Sequence, residues 1–503
     1  MPATKRRIGV DLTPMHRGGV NGGVKPLILQ SLSILAEQLK SEAVFVFFTN
    51  SATHREVRKL ASAGDELVCV VTSDREELPC PVIAPVRESI GDGEDLMLPI
   101  RLGIEVLYCP FGAVTFASPG IPTVACIVDL IHLDYPMSLT GAEIAYREAY
   151  LKETMEVSDS LNCISRHVAG RVRESFPDFE GTIFHTYNAI QNRFSHVPES
   201  EEELSIENYF FFPANFWPHK NHEVLLIAYQ LYSARLEEDA WDLVLTGESG
   251  ERQTEMQELA AAMMISDRVH FPGFVAESFL KKIWSQCSCL VFPSLHEGFG
   301  IPLLEAMHFG KPVISSNSCC LPEVGGDACL YVDPTKPIEL AGAMESIHRD
   351  MSLRERLVKN GVQRLGEFTI SCEIEKLNEA LMTAKPRAQW QKGIYGDGWI
   401  GEDALLSIPE RSGRWRLAIN VSGRNIPTFL SVFCSGNSFG THEIPVWDQR
   451  EIVIWMRDPA GVLNIHVADP CRLSEKDKRL LGARLLSVTL KSESGETVDL
   501  FKL

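Results

Sequence analysis

The feature that most restricts the fold of this chain is an apolar run followed by a glycine-containing loop and then a helical pattern. Cys289-Leu-Val-Phe-Pro293 is the apolar run, and such runs are typical of strands buried in a parallel sheet. After the loop, the apolar residues from Leu303 to Met307 keep helical spacing, with Pro302 suited to the first turn and Gly310 to the position after the last. The segment therefore predicts a strand, a glycine loop and a helix.

The loop between Ser294 and Glu305 has the composition of a ligand site. Gly298 and Gly300 allow the backbone to approach a ligand closely, and the start of the helix offers free N–H groups and a partial positive charge that suit phosphate. Glu297 and Glu305 flank the glycines, and carboxylates accept hydrogen bonds from hydroxyl groups, so a sugar and a ribose are natural ligands. The alternative interpretation is an ordinary strand-to-helix turn with solvated acids.

The wider sequence around these residues resembles the donor-site motif of glycosyltransferase family 4. The match is Phe-Pro-Ser-x-x-Glu-Gly-Phe-Gly-Ile-Pro-Leu-Leu-Glu-Ala-Met, in which seven residues separate Glu297 from Glu305. It continues through Gly310-Lys-Pro-Val-Ile-Ser, Leu321-Pro-Glu-Val, Gly326-Asp-Ala and Tyr331-Val-Asp-Pro334. Members of this family are retaining, sugar-nucleotide-dependent enzymes with the GT-B fold, so the resemblance implies an α/β protein with two Rossmann-like domains that face a cleft.

The resemblance also implies roles for the loop residues. Glu297 would act as a catalytic residue that holds hydroxyls of the transferred hexose, and Glu305 would bind the ribose hydroxyls. The other donor contacts that it implies in this loop are Gly298, Phe299, Gly300 and Ile301. No metal is needed, because backbone amides and a lysine would stabilise the leaving phosphates, and no Asp-x-Asp donor-metal motif is visible.

A second strand–loop–helix pattern supplies that lysine. Tyr209-Phe-Phe-Phe-Pro213 restarts a strand, and the loop Ala214-Asn-Phe-Trp-Pro-His-Lys-Asn221 precedes a helical pattern. The loop resembles the family's second signature, and Lys220 matches the catalytic lysine that neutralises the donor diphosphate. A lysine at a loop–helix junction is also a suitable phosphate partner on physical grounds, with a solvated lysine as the alternative. Asn215 stands where the family often has an arginine, so one positive contact is either lost or supplied elsewhere.

Four more donor contacts are predicted from loops at strand ends. Gly247 ends the strand Trp241-Asp-Leu-Val-Leu-Thr, and Phe274 follows the next strand, where the family places the nucleotide base. In the N-terminal part, Gly22 and Gly23 match the family's Gly-Gly-Val loop beside the donor phosphates. That loop lacks the Gly-x-Gly-x-x-Gly pattern, which argues against a nicotinamide cofactor.

The acceptor side of the site is predicted at the end of a strand in the N-terminal part. Thr123-Val-Ala-Cys-Ile-Val runs into Asp129-Leu-Ile-His132, and open α/β sheets bind ligands at the carboxyl ends of their strands. Asp129 could orient an acceptor hydroxyl or take its proton, which makes it a candidate catalytic and acceptor-binding residue. The family often has His-Asp-Leu here, but this chain has Val128, so His132 is the candidate substitute and second acceptor contact. The structural alternatives are a strand-end cap for Asp129 and a hydrogen-bonded core histidine for His132.

Composition shifts divide the chain into three predicted domains. Residues 1–205 form an N-terminal Rossmann-like acceptor domain, residues 206–385 a Rossmann-like nucleotide-sugar donor domain, and residues 386–503 an antiparallel β-sandwich. An acidic stretch from Pro198 links the first two, and in GT-B folds the terminal helices of the second domain cross back to the first. Trp390, Trp399 and Trp447 in the last domain suit sugar stacking, although a tryptophan in a sandwich is more often core.

The composition argues against several classes of function. A formal net charge of −19 argues against nucleic-acid binding and against a broad electrostatic membrane surface. No run of about 18 apolar residues predicts a membrane-spanning helix, and the basic start before Ile8 does not lead into a signal peptide. The 13 cysteines lack metal-ligand spacing and are expected to be core thiols in a reducing cytosol. We therefore expect a cytoplasmic protein without a cofactor or metal, with a peripheral contact at the inner membrane face left open.

These observations together predict a retaining glycosyltransferase. It would move a hexose, with GDP-mannose as the first candidate donor and a UDP-linked sugar as the other, to a glycan or lipid-linked oligosaccharide in bacterial surface polysaccharide synthesis. This reaction is implied by the family resemblance. The alternatives are a nucleotide-sugar epimerase on the same fold, and a non-catalytic GT-B scaffold or glycan-binding protein. A phosphorylase is disfavoured because no lysine context for a pyridoxal cofactor is visible.

Overall fold

Three sheets organise the chain in the computed structural model, two of them parallel and one antiparallel. The structure describes residues 5–16, 24–71, 87–92, 98–190, 194–195, 197–387, 391–394, 398–424, 426–435, 437–468, 470 and 481–502. The predicted boundaries at 205/206 and 385/386 both lie between sheets, because the first sheet ends at His185, the second spans Tyr209 to Val332, and the third begins at Gln391.

The first domain contains a parallel sheet with helices between its strands. The strands are β1 (Arg6–Asp11), β2 (Ala43–Thr49), β3 (Glu66–Val71), β4 (Arg87–Asp92), β5 (Val106–Cys109), β6 (Thr123–Ile127), β7 (Ser160–Cys163) and β8 (Thr182–His185). The helices are α1 (Val24–Gln38), α2 (His54–Val57), α3 (Leu98–Arg101), α4 (Ile131–Asp134), α5 (Gly141–Val157) and α6 (Arg166–Ser175), with a 3₁₀ turn at Pro136–Ser138. Among the described residues the strand order is β4-β3-β2-β1-β5-β6-β7-β8. The apolar runs are buried in this sheet, as expected for parallel strands covered on both faces.

The second domain repeats the pattern. The strands are β9 (Tyr209–Pro213), β10 (Asp242–Thr246), β11 (Val269–Gly273), β12 (Cys289–Phe292), β13 (Val313–Ser316) and β14 (Cys329–Val332). The helices are α7 (His222–Leu236), α8 (Glu251–Ala262), α9 (Glu277–Gln286), α10 (Ile301–His308), α11 (Leu321–Gly325), α12 (Pro337–Arg349), α13 (Met351–Leu365) and α14 (Ile370–Thr383), with 3₁₀ turns at Pro218–Lys220, Glu237–Asp239 and Gly326–Ala328. The order β11-β10-β9-β12-β13-β14 reverses between β9 and β12, and ligands of open parallel sheets bind at such a reversal.

The third domain is antiparallel, as predicted. The strands are β15 (Gln391–Ile394), β16 (Trp399–Ile408), β17 (Arg414–Ser422), β18 (Thr428–Cys434), β19 (Asn437–Ile444), β20 (Gln449–Arg457), β21 (Gly461–Val467), β22 (Ala483–Ser492) and β23 (Thr497–Lys502). In the described residues they form one hydrogen-bonded path, β19-β18-β21-β16-β22-β17-β20, with β15 paired to β16 and β23 to β22. One buried cluster fills its core. Of the three tryptophans singled out above, Trp399 is half-buried, Trp447 is exposed, and Trp390 lies outside the described residues.

The last helix of the second domain, α14, packs on the first domain. Ile374 and Leu377 of α14 lie in the same buried cluster as Ile8 of β1 and Leu35 of α1. The guanidinium of Arg6 donates to the carbonyls of Met382 and, at 3.2 Å, Ala384. The chain thus crosses back to the first domain, as the resemblance to GT-B proteins implies.

One carboxylate joins the two parallel-sheet domains. Glu323 on α11 accepts hydrogen bonds from the backbone N–H groups of Arg166 (2.7 Å) and His167 (2.8 Å), which are the first two residues of α6 in the other domain. The hydroxyl of Tyr187 also donates to Glu323, at 2.7 Å. Because the first N–H groups of a helix have no partner within it and carry partial positive charge, an acid placed there is stabilised.

Apolar contacts accompany this bond. The ring of Phe299, in the loop before α10, packs against Tyr187 with centroids 5.9 Å apart and against Phe368 at 5.9 Å. Burial and the Glu323 carboxylate raise the pKa of Tyr187 to about 12, so its hydroxyl stays protonated and remains a donor. The two domains therefore meet through a charge-assisted helix cap next to an aromatic cluster.

We expect Glu323→Gln to weaken this closed arrangement. A glutamine retains one acceptor oxygen but turns an NH₂ group towards a backbone N–H, so at least one bond becomes a repulsion, at a cost of roughly 1–3 kcal/mol. The melting temperature should fall, and the radius of gyration from small-angle scattering should rise.

Glu174→Gln is the matched control for that change, because Glu174 is an exposed acid on α6 that bonds only within its own domain, to Arg171. Equal melting temperatures and radii for Glu323→Gln and Glu174→Gln would show that the Glu323 cap does not hold the domains together.

Candidate functional site

The loops after β9 and β12 are hydrogen-bonded to each other next to the point at which the strand order of the second sheet reverses. Asn221 adopts a left-handed conformation with φ of 67°, which asparagine tolerates better than most residues. Its side-chain amide donates to the carbonyls of Pro293 (3.1 Å) and Pro334 (2.8 Å). The N–H of Leu295 donates to the carbonyl of His219 at 2.7 Å. These bonds fix the positions of the side chains on both loops.

Lys220 and Glu297, from the two sequence motifs, form an ion pair in this place. The Lys220 Nζ lies 2.6 Å from the Glu297 Oε1, and the two side chains are 13% and 12% exposed. The Lys220 ammonium also lies 5.8 Å from the centre of the Phe292 ring. The structure thus brings together two predicted catalytic residues that are 77 positions apart. Because each already has a partner, a phosphate that binds Lys220 must share it with Glu297 or replace it.

The two glycines of the central loop serve different structural needs. Gly300 has φ of +94°, which favours glycine, and it precedes the first residue of α10. A Cβ on Gly298 would lie 1.9 Å from the carbonyl oxygen of Val128, at the end of β6 in the first domain. Gly298 therefore permits close approach of the two domains. The Gly298 side that faces Val128 is thus occupied by a protein carbonyl, and the predicted donor contact of Gly298 would be made by its backbone.

The remaining residues of the central motif are mostly enclosed. Glu305 lies on α10 with only 3% of its surface exposed. The ring of Phe299 is taken up by the aromatic cluster described above, which leaves only its backbone to meet a donor. Ile301 starts α10 and packs against the shared core. Burial of a carboxylate next to a loop of glycines is the arrangement in which a hydroxyl ligand would bind it strongly.

Three predicted donor residues lie on the loops after β9, β10 and β11. The Asn215 side-chain oxygen accepts the N–H of Glu248 at 2.8 Å, so this residue ties two loops and brings no positive charge. A Cβ on Gly247 would lie 2.5 Å from the carbonyl of Ala214, so glycine is required for these loops to pack. Phe274 is 69% exposed and free to contact a flat ligand. Gly22 and Gly23 lie outside the described residues.

Asp129 and His132 lie at the carboxyl end of β6, next to the contact between Val128 and Gly298. The Asp129 Oδ1 accepts from the N–H of Ile131 at 3.1 Å and from Arg147 Nη1 at 3.0 Å. Asp129 thus bonds the chain that follows the end of β6, as in the structural alternative of a strand-end cap, and is also an ion-pair partner of Arg147.

His132 is 5% exposed, and neither ring nitrogen has a hydrogen-bond partner among the described residues. Burial, and then the charge of Arg147, lower the pKa of His132, so the ring is neutral at pH 7. The alternative of a hydrogen-bonded core histidine is therefore not what the structure shows.

Two residues of the site region were missed by the sequence interpretation. Arg147 lies on α5, and Thr140 and Glu143 form a capping box at the start of that helix. Nothing in this local pattern links Arg147 to Asp129. His296 lies inside the central motif and reaches the first domain, where its Nε2 is 3.3 Å from the Asp134 Oδ2. The two contacts join residues 18 and 162 positions apart, in different elements, so only the folded structure reveals them.

The histidines beside Lys220 add no charge. Burial, followed by repulsion from Lys220, lowers the pKa of His219 to about 3, and the same causes lower the pKa of His222 to about 3. The ring of His222 is packed between Phe212 and Phe216, with centroids 4.8 and 4.6 Å away. The segment from His219 to His222 therefore carries a single positive charge, that of Lys220.

No metal site is found in the part of the chain that the structure describes. No group of three histidine, cysteine, aspartate or glutamate side chains there could hold an ion. Most cysteines in that part are buried, and burial raises the pKa of Cys287 and Cys329 to about 12. Among the described helices, none combines the length and the apolar character that a bilayer crossing requires.

Comparison with known proteins agrees with this geometry. Residues 196–364 match the family model described as glycosyl transferases group 1. This chain contains a group 1 glycosyltransferase domain. The matched segment starts two residues before the predicted linker and includes both Lys220 and Glu297. The resemblance from which the sequence interpretation started is therefore confirmed.

Mannosyltransferases are among the curated relatives of the group 1 domain. O-antigen chain mannosyltransferase B of Escherichia coli is 30% identical over 245 residues, which cover 47% of this chain and 64% of that protein. The serotype-specific mannosyltransferase WbdA of E. coli is 29% identical over 236 residues, 44% of this chain and 29% of WbdA. The chain thus spans less than two thirds of either relative.

Solved structures confirm the GT-B fold. HepE from Anabaena, in complex with UDP and glucose, superposes with a TM-score of 0.53 at 14% identity, covering 75% of this chain and 100% of HepE. At this identity the similarity concerns the fold alone. The two parallel sheets of this chain thus correspond to the two Rossmann-like domains of the GT-B fold.

Acid should destabilise this protein partly through His222. Its pKa is lowered on folding, so between about pH 6.5 and 3 the unfolded state binds the proton and the native state does not. Stability then falls with decreasing pH by at most about 1.4 kcal/mol per pH unit for this group. His222→Gln should lose less melting temperature between pH 7.5 and 5.0 than the parent protein. Parallel pH dependences would show that His222 is not buried in its neutral form; His219, left in place, contributes equally to both proteins.

Gly298→Ala should separate the two domains. Its Cβ would meet a backbone carbonyl at 1.9 Å, which cannot rotate away as a flexible side chain could, and overpacking of this kind costs about 1–3 kcal/mol. We expect a lower melting temperature and a larger radius of gyration. Gly170→Ala is the control, because Gly170 lies on α6 with nothing within 4 Å of the added Cβ, and helical glycines usually gain stability on this change. An unchanged Gly298→Ala protein would refute the close contact.

Proposed function

We propose that the protein is a retaining glycosyltransferase that moves a hexose from a nucleotide-sugar to a glycan or lipid-linked oligosaccharide. The observation that carries this proposal is the Lys220–Glu297 ion pair, at the reversal of the donor-domain sheet and inside the segment that matches the group 1 family model. A cation and a carboxylate at this point are suited to a ligand that carries phosphates at one end and hydroxyls at the other.

Each donor group has a partner in this proposal. The diphosphate binds Lys220, the backbone N–H groups from Gly298 to Gly300 and the start of α10, where the helix dipole favours negative charge. The hexose hydroxyls bind Glu297, which is released from Lys220 as the phosphates replace it. The ribose hydroxyls bind Glu305, whose buried carboxylate lies one turn into α10. The nucleotide base stacks at the exposed ring of Phe274.

The chemistry requires little beyond positioning and charge stabilisation. The bond between the anomeric carbon and the phosphate oxygen breaks, and a bond from an acceptor oxygen forms on the same face of the sugar. The acceptor proton passes to the leaving phosphate, so the products are a glycoside and a nucleoside diphosphate. Lys220 and the loop amides stabilise the charge that develops on that phosphate. Asp129, held by Arg147, orients the acceptor hydroxyl together with His132.

Mannose from GDP-mannose is the first candidate because the relatives described above are named mannosyltransferases. The GDP base is the less supported half of that proposal, since HepE was solved with UDP and glucose. The acceptor would be a growing surface polysaccharide, met in the cytoplasm or at the inner face of the membrane. A nucleotide-sugar epimerase would instead convert the donor without any acceptor, so incubation with donor alone separates the two activities.

Donor binding and turnover test the proposal. A thermal-shift screen against GDP-mannose, UDP-glucose and UDP-N-acetylglucosamine should give a shift with one donor family by mass action. Lys220→Ala should then lower turnover by roughly 10²–10³-fold, because it removes the side-chain cation at the leaving phosphates. Glu305→Gln should weaken donor binding by roughly tenfold or more, since a hydrogen bond to a charged group is lost.

Lys311→Ala is the matched control. Lys311 lies just beyond the other end of α10 and donates to the carbonyl of Ser285 at 2.7 Å, away from the loops of the site. Full turnover in Lys220→Ala, or an equal loss in Lys311→Ala, would contradict the assigned role of Lys220. Lack of a shift with every donor would favour a non-catalytic scaffold.

A further inference from the structure

A small apolar surface lies on two adjoining loops of the third domain. The loop between β17 and β18 carries Ile426, and the loop between β19 and β20 carries Val446 and Trp447; these side chains are 42%, 45% and 63% exposed. The loops are hydrogen-bonded to each other, because the N–H of Trp447 donates to the carbonyl of Arg424 at 3.0 Å and the N–H of Gly423 donates to that of Asp448 at 2.9 Å. We refer to Ile426, Val446 and Trp447 as the tryptophan platform.

The backbone of Trp447 is held in a conformation that its own side chain disfavours. Its φ is +52°, in the left-handed region, where a bulky residue with a Cβ is seldom found. Such a conformation costs free energy and persists only where the surroundings impose it, and it is found most often at binding and catalytic sites. Here the strained residue gains little burial in return, since most of its ring faces solvent.

A buried arginine, Arg424, belongs to the loop whose backbone accepts the Trp447 N–H. Arg424 is 1% exposed, its Nε donates to the Thr428 Oγ1 at 3.1 Å, and its Nη1 donates to the carbonyl of Leu481 at 3.0 Å. A Cβ on Gly423 would lie 2.2 Å from the carbonyl of Pro445, so the two loops touch through their backbones. Burying a guanidinium is costly unless it is fully hydrogen-bonded, so this part of the chain is built to keep the loops rigid.

The exposed residues near Trp447 in the chain are polar, and their side chains end in planar groups. The residues that flank Trp447 and are exposed themselves are Glu443, Asp448, Gln449 and Arg450. Carboxylate, amide and guanidinium groups each bond two adjacent hydroxyls, and an indole ring offers an apolar face that matches the C–H face of a pyranose. This combination suits a carbohydrate better than a protein surface, whose interface core would be largely apolar.

The charge of the domain argues against anionic partners. Residues 386–503 contain 15 lysines and arginines and 14 aspartates and glutamates, so the domain is close to neutral, whereas the whole chain carries −19. A neutral domain has no electrostatic preference for anionic lipid or nucleic acid. We infer that the tryptophan platform with its polar rim is a binding site for a neutral glycan, separate from the transfer site of the GT-B domains.

A second exposed tryptophan in the same domain provides an internal comparison. Trp455 lies eight positions along on β20 and is 50% exposed, but its backbone is ordinary strand and the Arg414 guanidinium covers its ring at 4.7 Å from the centroid. One face of that ring is therefore already occupied. Glycan binding is therefore expected at Trp447 and not at Trp455.

Affinity electrophoresis of the full chain through native gels that contain yeast α-mannan or dextran tests the site without any donor. The parent protein should be retarded by at least one of these neutral polysaccharides. Trp447→Ala should weaken the retardation about tenfold or more, as when the aromatic anchor of an interface is removed. Trp455→Ala should migrate like the parent, and Trp447→Phe should keep most of the binding because it keeps an aromatic face.

Trp447→Gly separates binding from folding. Glycine adopts positive φ at no steric cost, so the melting temperature should stay the same or rise while binding is lost. Absence of retardation of the parent protein in both polysaccharides would overturn the inference, as would equal retardation of the Trp447→Ala and parent proteins. Two other results, each without glycan binding, would also overturn the inference. One is pelleting with phosphatidylcholine vesicles that depends on Trp447, which would make lipid the ligand. The other is dimerisation in sedimentation that depends on Trp447, which would make a second copy of the chain the partner.

The choice of mannan as a probe rests on the proposed function, but the outcome does not. Binding is measured without nucleotide-sugar, and transfer to a short acceptor should be unchanged in Trp447→Ala. Sugar transfer without retardation by glycan would contradict the glycan-binding site alone. Retardation by glycan without any sugar transfer would contradict the proposed reaction alone.

Discussion

The geometry of the cleft depends on the bond between Glu323 and the start of α6. That bond joins residues 157 positions apart and links the second domain to the first. It satisfies two N–H groups that a helix end always leaves without partners, while Ser165 satisfies a third, that of Val168 at 3.1 Å. With the domains held in this way, Gly298 meets the carbonyl of Val128, and the residues after β6 come to face the loops after β9 and β12.

The charged side chains of the site are paired with one another. Lys220 is paired with Glu297 and Asp129 with Arg147, and burial keeps His219 and His222 neutral. A ligand that carries both phosphates and hydroxyls can exchange with the first pair without leaving a charge unpaired, because its phosphate takes Lys220 as its hydroxyls take Glu297. A purely apolar ligand would leave both charges buried and uncompensated, which is unfavourable. The paired charges are therefore compatible with the donor class proposed above.

The sequence interpretation captured local patterns but not contacts between distant parts of the chain. The strand, glycine loop and helix at 289–308 were predicted from apolar spacing, Pro302 and Gly310, and the structure has β12, the loop and α10 there. The contact of Gly298 with the Val128 carbonyl, in contrast, was not predicted, because a neighbour across the domain boundary cannot be read from the surroundings of Gly298 in the chain. The packing of the Phe299 ring against Tyr187 and Phe368 was not predicted for the same reason. Trp447 was named only as one of three tryptophans, since its exposure and backbone conformation depend on how two loops meet.

By itself, the sequence determined the GT-B fold, the antiparallel C-terminal domain and the identity of the donor motif, because hydrophobic periodicity, turn residues and motif spacing are properties of short segments. Only the tertiary structure decided which charges are paired, which glycine allows two backbones to approach each other closely, and which tryptophan is exposed to solvent. Those features depend on residues that are far apart in the chain and meet only when the sheets pack. Lys220 and Glu297 show both aspects: each was recognisable from its own motif, but their ion pair exists because β9 and β12 are neighbours in the folded sheet.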